Sequence, residues 1–175
     1  MKHLSKLFAA LTLMLVSVSA FAQFTQTELV GEWQRAKNYT KAYLDAMPED
    51  GYGFKATPEV RSFAQQMGHL ADANYFFAAT ASAKPSPFGQ KSVEKSIPAT
   101  KAEMTKAVMD SYDFVISTLQ ALPADQLNQT VSLEGKTITR FQAYGKAFEH
   151  QTHHRGQTTV YLRLKGVTPP GEMLF

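Results

Sequence analysis

The sequence predicts an all-α protein, an up-and-down four-helix bundle with a small β-hairpin before the last helix. Three observations lead to this prediction. Four segments open with N-capping residues, each segment carries apolar residues at helical spacing, and a short alternating stretch around a Glu-Gly pair precedes the fourth segment. The chain of 175 residues is long enough for one domain with a single core.

The first predicted helix begins after Thr25, whose hydroxyl can accept from free backbone N–H groups while Glu28 reaches back to the cap. Its apolar residues follow a 4-3-7-4 spacing that forms one seam: Leu29, Trp33, Ala36, Tyr43 and Met47. Pro48 marks the end of this helix, because proline cannot continue the hydrogen-bond ladder.

The second predicted helix begins at Thr57, because Pro58 suits the first helical position and Glu59 follows it. Its seam consists of Val60, Phe63, Met67, Leu70, Asn74 and Phe77. The helix stops before Pro85 and Pro87. Residues 84–99 are rich in proline, serine and lysine and lack helical periodicity, so we expect a lid or a crossover there.

The third predicted helix begins at Thr100 with Glu103 and ends at Pro123. Its seam consists of Met104, Val108, Ser111, Val115, Leu119 and Leu122. The alternating stretch "QTVSLEGKTIT" then turns at Glu134-Gly135, which predicts a small hairpin, with an irregular loop as the alternative. The fourth predicted helix follows Thr139 and Gln142, running from about Arg140 to Lys165 before Gly166.

The first 22 residues have the three parts of a secretory signal peptide. Lys2 and Lys6 precede an apolar stretch from Leu7 to Val18, and Ala20-Phe21-Ala22 forms a small-residue cleavage site. The apolar stretch is shorter than the roughly 20 residues of a membrane-spanning helix, which favours cleavage over an anchor. We therefore expect a mature domain of residues 23–175 that is periplasmic or secreted, without stable membrane insertion.

The amino-acid composition excludes some classes of binding partner and some kinds of catalytic or metal site. The whole chain has 18 basic and 15 acidic residues, and removing the two signal-peptide lysines leaves 16 against 15. A nearly neutral chain without a basic stripe lacks the electrostatic footprint of a nucleic-acid-binding protein. The absence of cysteine excludes disulfides, thiolate metal ligands and a thiol nucleophile.

Three of the five histidines lie close together on the fourth predicted helix. His150 and His154 differ by about 40° in direction and about 6 Å in height, so both rings can reach one ion. His153 points about 60° away from His150 and about 100° away from His154, so the three rings cannot all converge. The pair formed by His150 and His153 is also geometrically possible.

A zinc site needs at least three protein ligands, and the mature chain offers one further histidine, His69 in "QQMGHLADANYFF". This residue lies beside the apolar seam of the second helix, on a line that can border a cavity between helices. Three imidazoles with one open position would bind a divalent transition metal such as Zn or Ni. From spacing alone, histidines that cap, stack or lie on the surface explain the pattern equally well.

The stretches "HLADANYFF", "EGKTITRF" and "EHQTHHRGQTTVYLRLKG" resemble the DinB-like superfamily, whose members are up-and-down four-helix bundles with a bound divalent metal. The run "FKATPEVRSFAQQMGHLADA" fits as well, so the resemblance extends over essentially the whole mature chain. It implies that His69, His150 and His154 are the metal ligands and that His153 lies outside the ligand shell.

Four other residues are expected near this centre. Arg155 is interpreted as a buried or interfacial anchor, with a substrate contact as the alternative, and Gly156 as a point of close helix contact. Asp72 either orients an imidazole, accepts a proton from water, or is an exposed helix carboxylate. Tyr161 either lines a pocket or belongs to the core.

A metal held by three neutral imidazoles keeps its full charge and would acidify a bound water or thiol. The resemblance therefore favours a metal-dependent hydrolase or a thiol-dependent S-transferase that acts on a small molecule. Small thiols are mainly cytoplasmic, so export gives a hydrolytic or other metal-assisted reaction the same weight as thiol transfer. The alternatives are a metal-binding or stress-related bundle without turnover and a metal-free interaction module. A homodimer is also expected.

Overall fold

The computed structural model describes residues 25–89, 91–98 and 100–175. It contains four helices and one hairpin: α1 Gln26–Ala46, α2 Phe63–Ser82, α3 Lys101–Ala121, β1 Thr130–Leu133, β2 Lys136–Thr139 and α4 Arg140–Leu164. The predicted fold class, a four-helix protein with a hairpin before the last helix, is confirmed. The predicted signal peptide lies outside the described residues. No helix formed by the described residues is long and apolar enough to cross a bilayer.

Bonds between helix ends fix the directions of the four helices. Gln26 at the start of α1 donates to Leu119 and Leu122 near the end of α3, so these two helices are antiparallel. The Tyr161 hydroxyl of α4 donates to the Arg61 carbonyl just before α2, so α4 and α2 are also antiparallel.

Two helix pairs, α1 with α4 and α2 with α3, run parallel. The Trp33 and Phe148 rings meet, and so do the Tyr43 and Thr159 hydroxyls further along, so α1 is parallel to α4. The helices therefore run up, down, down and up, and the expected alternation is interrupted between α2 and α3. The connection over residues 83–100 makes this possible. A 20-residue helix is about 30 Å long, and roughly ten extended residues can return that distance.

Three of the four predicted helix starts are confirmed, with reciprocal capping boxes at Thr25, Thr100 and Thr139. The start predicted at Thr57 is wrong, because α2 begins at Phe63 behind a box formed by Ser62 and Gln65. The physical reason is tertiary. The N–H groups of Phe63 and Ala64 donate to the carbonyls of Phe54 and Tyr52. They therefore cannot donate to the carbonyls of a helical turn upstream, and such a turn does not form.

The core forms where the predicted seams meet. All the seam residues predicted on α1 and α3 are buried, whereas Val60 lies outside α2 and is exposed. Trp33 is fully buried, and its ring packs edge-on against Tyr112 and Phe148. Hydrogen bonds also cross the core: the Tyr112 hydroxyl lies 2.7 Å from Thr40 Oγ1 and donates to Gln151 at 2.9 Å. These bonds join α1, α3 and α4.

The predicted hairpin is confirmed, with Val131 opposite Ile138 and Leu133 opposite Lys136. Its two turn residues, Glu134 and Gly135, both have positive φ angles of 49° and 77°. A two-residue hairpin loop with this geometry matches the twist of the strands, and glycine adopts it without strain. The hairpin packs against α2 and α4.

The connection between α2 and α3 lies directly on α2 at Gly68. A Cβ atom at this position would come within 2.8 Å of the backbone of Glu94. One helical turn further along, Asp72 accepts hydrogen bonds from the backbone N–H groups of Val93 and Glu94 at 2.7 and 3.1 Å and from the Ser92 hydroxyl at 2.6 Å. The predicted crossover is therefore closely bound to α2 over residues 92–94.

We expect Gly68→Ala to lower the free energy of unfolding by about 1–3 kcal/mol, because the added methyl group overlaps backbone that Asp72 holds in place. Urea unfolding followed by circular dichroism measures this loss. The matched control is Gly145→Ala on α4, where an added Cβ meets nothing within 4 Å. There the helix gains about 0.5–1 kcal/mol. Equal stability of the two variants would contradict the close approach of the connection to α2.

Candidate metal centre

Three imidazoles from two helices meet at one place between α2 and α4. His69 comes from α2, and His150 and His154 come from successive turns of α4. Each ring offers one nitrogen, and these three atoms all lie within 4.8 Å of one another. The distances between ring centroids are 5.1 Å for His69 and His150, 4.6 Å for His69 and His154, and 4.4 Å for the α4 pair.

The antiparallel packing of α2 and α4 sets the register that brings these rings together. At one end, the Tyr161 hydroxyl donates to the carbonyl of Arg61 at 2.6 Å. At the other end, the Arg140 guanidinium donates to the carbonyl of Ala81 at 2.9 Å. Both bonds use backbone carbonyls as acceptors, so they hold the helices themselves and not only their side chains.

Hydrogen bonds to protein oxygens orient two of the three rings. His69 Nδ1 lies 2.9 Å from a carboxylate oxygen of Glu94, and His154 Nδ1 lies 2.8 Å from the amide oxygen of Gln66. Both oxygens can only accept, so each Nδ1 carries the proton and donates. The lone pair of each ring is therefore on Nε2, free to bind a cation.

His150 supplies the test of whether a metal fits. Its Nδ1 atom is buried and has no hydrogen-bond partner among the described residues, while its ring packs 5.7 Å from Phe77. A buried polar atom without a partner costs free energy, and a cation in the cluster is one way to satisfy this ring. Three imidazole nitrogens are also the donors that zinc and nickel accept readily. The residues present therefore fit a divalent transition metal.

The surroundings keep the two α4 histidines neutral. Burial lowers the pKa of His150 to about 4, with further lowering from the nearby His69 and His153. Burial also lowers the pKa of His154 to about 3, helped by His150 and His69. Only the neutral imidazole has a lone pair for a metal, so these two ligands are ready at neutral pH without losing a proton.

Glu94 connects the crossover segment to the cluster. One of its oxygens accepts from Arg61 Nε at 2.7 Å, and the other bonds His69. Partial burial disfavours the charged carboxylate, but the hydrogen bonds from Arg61 and His69 outweigh this effect and lower the pKa of Glu94. The carboxylate is thus a fixed acceptor. Glu94 was missed by the sequence analysis, because it lies 25 residues beyond His69 in a segment without periodicity.

Asp72 forms no hydrogen bond with an imidazole in the described part of the chain. Its oxygens accept from Ser92, Val93 and Glu94, so it is neither a solvated carboxylate nor the partner of a histidine. It contributes indirectly, because it holds the backbone that carries the Glu94 side chain. The proposed orientation of an imidazole by an acidic residue is therefore performed by Glu94 and supported by Asp72.

Arg155 and Tyr161 are anchors of α4. Arg155 is buried, donates to Gln151 at 3.1 Å, and its guanidinium carbon lies 4.3 Å from the centre of the Tyr39 ring. Burial lowers the pKa of its guanidinium. Tyr161 is buried and bonds the Arg61 carbonyl, so it belongs to the packing between α2 and α4.

Two other residues of the motif on α4 face solvent. His153 lies outside the three-histidine cluster, is exposed, and bonds Gln157 through its Nε2. Gly156 is also exposed, and a Cβ there would meet nothing within 4 Å. The expected close helix contact at Gly156 is therefore wrong, because no other helix comes within contact distance of a Cβ at this position in the described part of the chain.

Comparisons with known proteins agree with this architecture. A family model described as the DinB superfamily matches residues 32–158. The chain is 23% identical over 145 residues to the uncharacterised protein YjoA of Bacillus subtilis (strain 168), a match that covers 81% of this chain and 91% of that protein.

Two solved structures share the fold. A DinB-like protein from Bacillus cereus ATCC 10987 aligns with a TM-score of 0.76 and 19% identity over 85% of this chain and 97% of that chain. The DinB-like protein YjoA from Bacillus subtilis aligns with a TM-score of 0.65 and 20% identity over 85% of this chain and 96% of that chain. At these identities the likeness establishes the fold.

We expect the metal-free protein, kept in a chelator, to lose stability as the pH falls from about 6.5 to 5. The unfolded chain takes up protons at His150 and His154 in this range, whereas the folded chain keeps both neutral. Urea unfolding at several pH values measures the slope. His150→Asn should flatten it. His153→Asn changes an exposed histidine whose effect on the pKa of His150 and His154 is smaller than that of burial, so it should leave the slope nearly unchanged. The same slope in both variants would contradict this account.

Proposed function

This chain belongs to the DinB superfamily, and on that premise we propose that its histidine cluster binds a divalent transition metal for hydrolysis of a small molecule. The observation that carries the proposal is the convergence of His69, His150 and His154, whose ring nitrogens lie within 4.8 Å of one another. Zinc, nickel or a similar ion suits three imidazole donors. Three protein ligands are the usual number in catalytic sites, whereas structural sites use four.

A metal held this way supplies Lewis-acid activation of water or of a thiol. The protein's own residues provide the orientation. Glu94 holds the His69 ring through Nδ1, and Gln66 does the same for His154. Both oxygens of Glu94 are already engaged, one by Arg61 and one by His69, so Glu94 is a positioning residue and not a general base.

The preference for hydrolysis depends on location. The leader predicted for residues 1–22 would export the domain to the periplasm or outside the cell, where low-molecular-weight thiols are scarce. A thiol-dependent transfer therefore ranks second. A metal-binding bundle without turnover is the alternative from a different class, and a homodimer remains a prediction for either function.

We expect His69→Ala, His150→Ala and His154→Ala each to abolish stoichiometric metal binding, because two imidazoles cannot complete the site. His153→Ala is the matched control, since it removes a neighbouring histidine that lies outside the cluster. Metal content is measured by mass spectrometry of the purified mature protein after dialysis. Equal retention of metal in all four variants would reject the site.

The same variants separate catalysis from binding alone. The metal-loaded protein is screened on carboxylic esters, amides and thiol adducts, with His150→Ala as the blank. Turnover that disappears in this variant together with the metal identifies the enzyme and its substrate class. Stoichiometric metal without turnover on any of these substrates would favour the non-catalytic alternative.

We expect Glu94→Gln to weaken metal affinity by about ten- to a hundredfold while leaving the fold intact, because the neutral amide orients the His69 ring less firmly. A competition titration against a chromophoric chelator measures the affinity. Glu149→Gln removes the same charge from the residue next to His150, but its carboxylate bonds Lys146 and no imidazole. Equal affinity in these two variants would exclude the positioning role of Glu94.

A further inference from the structure

A cleft of about 590 Å³ opens between the β-hairpin and α4, and His150 forms part of its lining. Its apolar walls are the side chains of Phe77 from α2 and of Leu133 and Ile138 from the two strands. The Phe77 ring lies 5.7 Å from the His150 ring. An apolar wall of the cleft therefore lies next to one ring of the histidine cluster.

The strand register explains why the hairpin offers an apolar wall. Val131 is paired with Ile138 and Leu133 with Lys136, and residues two apart on a strand point the same way. Apolar side chains therefore share one face of the hairpin, and threonine and serine occupy the other. Leu133 is buried and Ile138 is partly buried, so this face is turned towards the bundle.

Charged residues at the edge of the cleft are balanced in sign. Lys146 and Glu149 on α4 form an ion pair at 2.8 Å, and both side chains are well exposed. Glu134 in the hairpin turn and Lys136 directly after the turn also carry opposite charges. The rim thus has no excess charge that would select an anion or a cation, and the interior favours apolar groups.

We propose that this cleft binds the apolar part of the substrate, an uncharged acyl or aromatic group, while the polar group of the same molecule reaches the metal at the histidine cluster. The inference rests on the function proposed above and deepens it. The substrate class is then a carboxylic ester or amide with an apolar acyl chain. Phe77 and Ile138 hold that chain, and the His150 side of the cleft receives the carbonyl end.

A homologous series of alkyl hydroxamates tests the proposal, because every member carries the same metal-binding head group. Butano-, hexano- and octanohydroxamate are titrated calorimetrically into the metal-loaded protein. Affinity should rise by up to about fourfold for each methylene group that enters the cleft. Ile138→Ser should reduce this dependence on chain length. Val131→Ser should preserve it, because Val131 faces the same way at the paired position but does not line the cleft.

Three further measurements make the outcomes distinguishable. Metal content of all three proteins reports on the proposed function alone, and circular dichroism confirms that each variant is folded. The dye 1-anilinonaphthalene-8-sulfonate reports on the cleft in the metal-free protein, where Ile138→Ser should weaken its binding several-fold relative to Val131→Ser. Dye binding without any metal binding would overturn the proposed function and keep the apolar cleft. Hydroxamate affinity that is independent of chain length, or equally dependent on it in both variants, would overturn the inference.

Discussion

The antiparallel contact between α2 and α4 is the interaction on which the histidine cluster depends. One helix supplies His69 and the other supplies the pair His150 and His154. A shift of one helical turn would move the rings apart by about 5.4 Å, which is more than the 4.8 Å that now encloses their nitrogens. The bonds to backbone carbonyls at Arg61 and Ala81, one near each end, oppose such a shift. The packing of α2 against α4 therefore also determines the distances between the three imidazoles.

The rotation of α4 about its axis is set by polar groups on its other buried side. Gln151 points towards α3 and accepts a hydrogen bond from the Tyr112 hydroxyl. Arg155 donates to Gln151 and lies over the ring of Tyr39 on α1. Burying a polar side chain costs free energy unless it is hydrogen-bonded or paired. Rotating α4 would separate these side chains from their partners, so one rotation of the helix is favoured. The residues that precede them, His150 and His154, are then turned towards α2. The buried network and the cluster are two consequences of the same rotation.

Local chemistry made much of the fold predictable. Reciprocal capping boxes, apolar seams and the Glu-Gly turn each depend on residues a few positions apart, and they located three helix starts and the hairpin correctly. The four-residue spacing of the α4 histidines is likewise local. The features that the sequence did not predict depend on contacts between residues far apart in the chain. Pro58 favours a helix start, yet carbonyls at Phe54 and Tyr52 move it to Phe63. Glu94 approaches His69 from a segment with no periodic signal, and its position is explained by the close approach of the connecting backbone at Gly68 and by the bonds of that backbone to Asp72.

The contacts of Gly68 and Asp72 with the connecting backbone also determine the smallest part of the molecule in which the His69 ring keeps its orientation. The two helices that carry the histidines contain none of the backbone that delivers the Glu94 carboxylate. A helical hairpin built from them alone, or a graft of the three histidines onto another bundle, would keep the ligands and lose the alignment of the His69 ring. A design that moves this site into another protein would therefore need both helices and also residues 92–94 of the connecting segment.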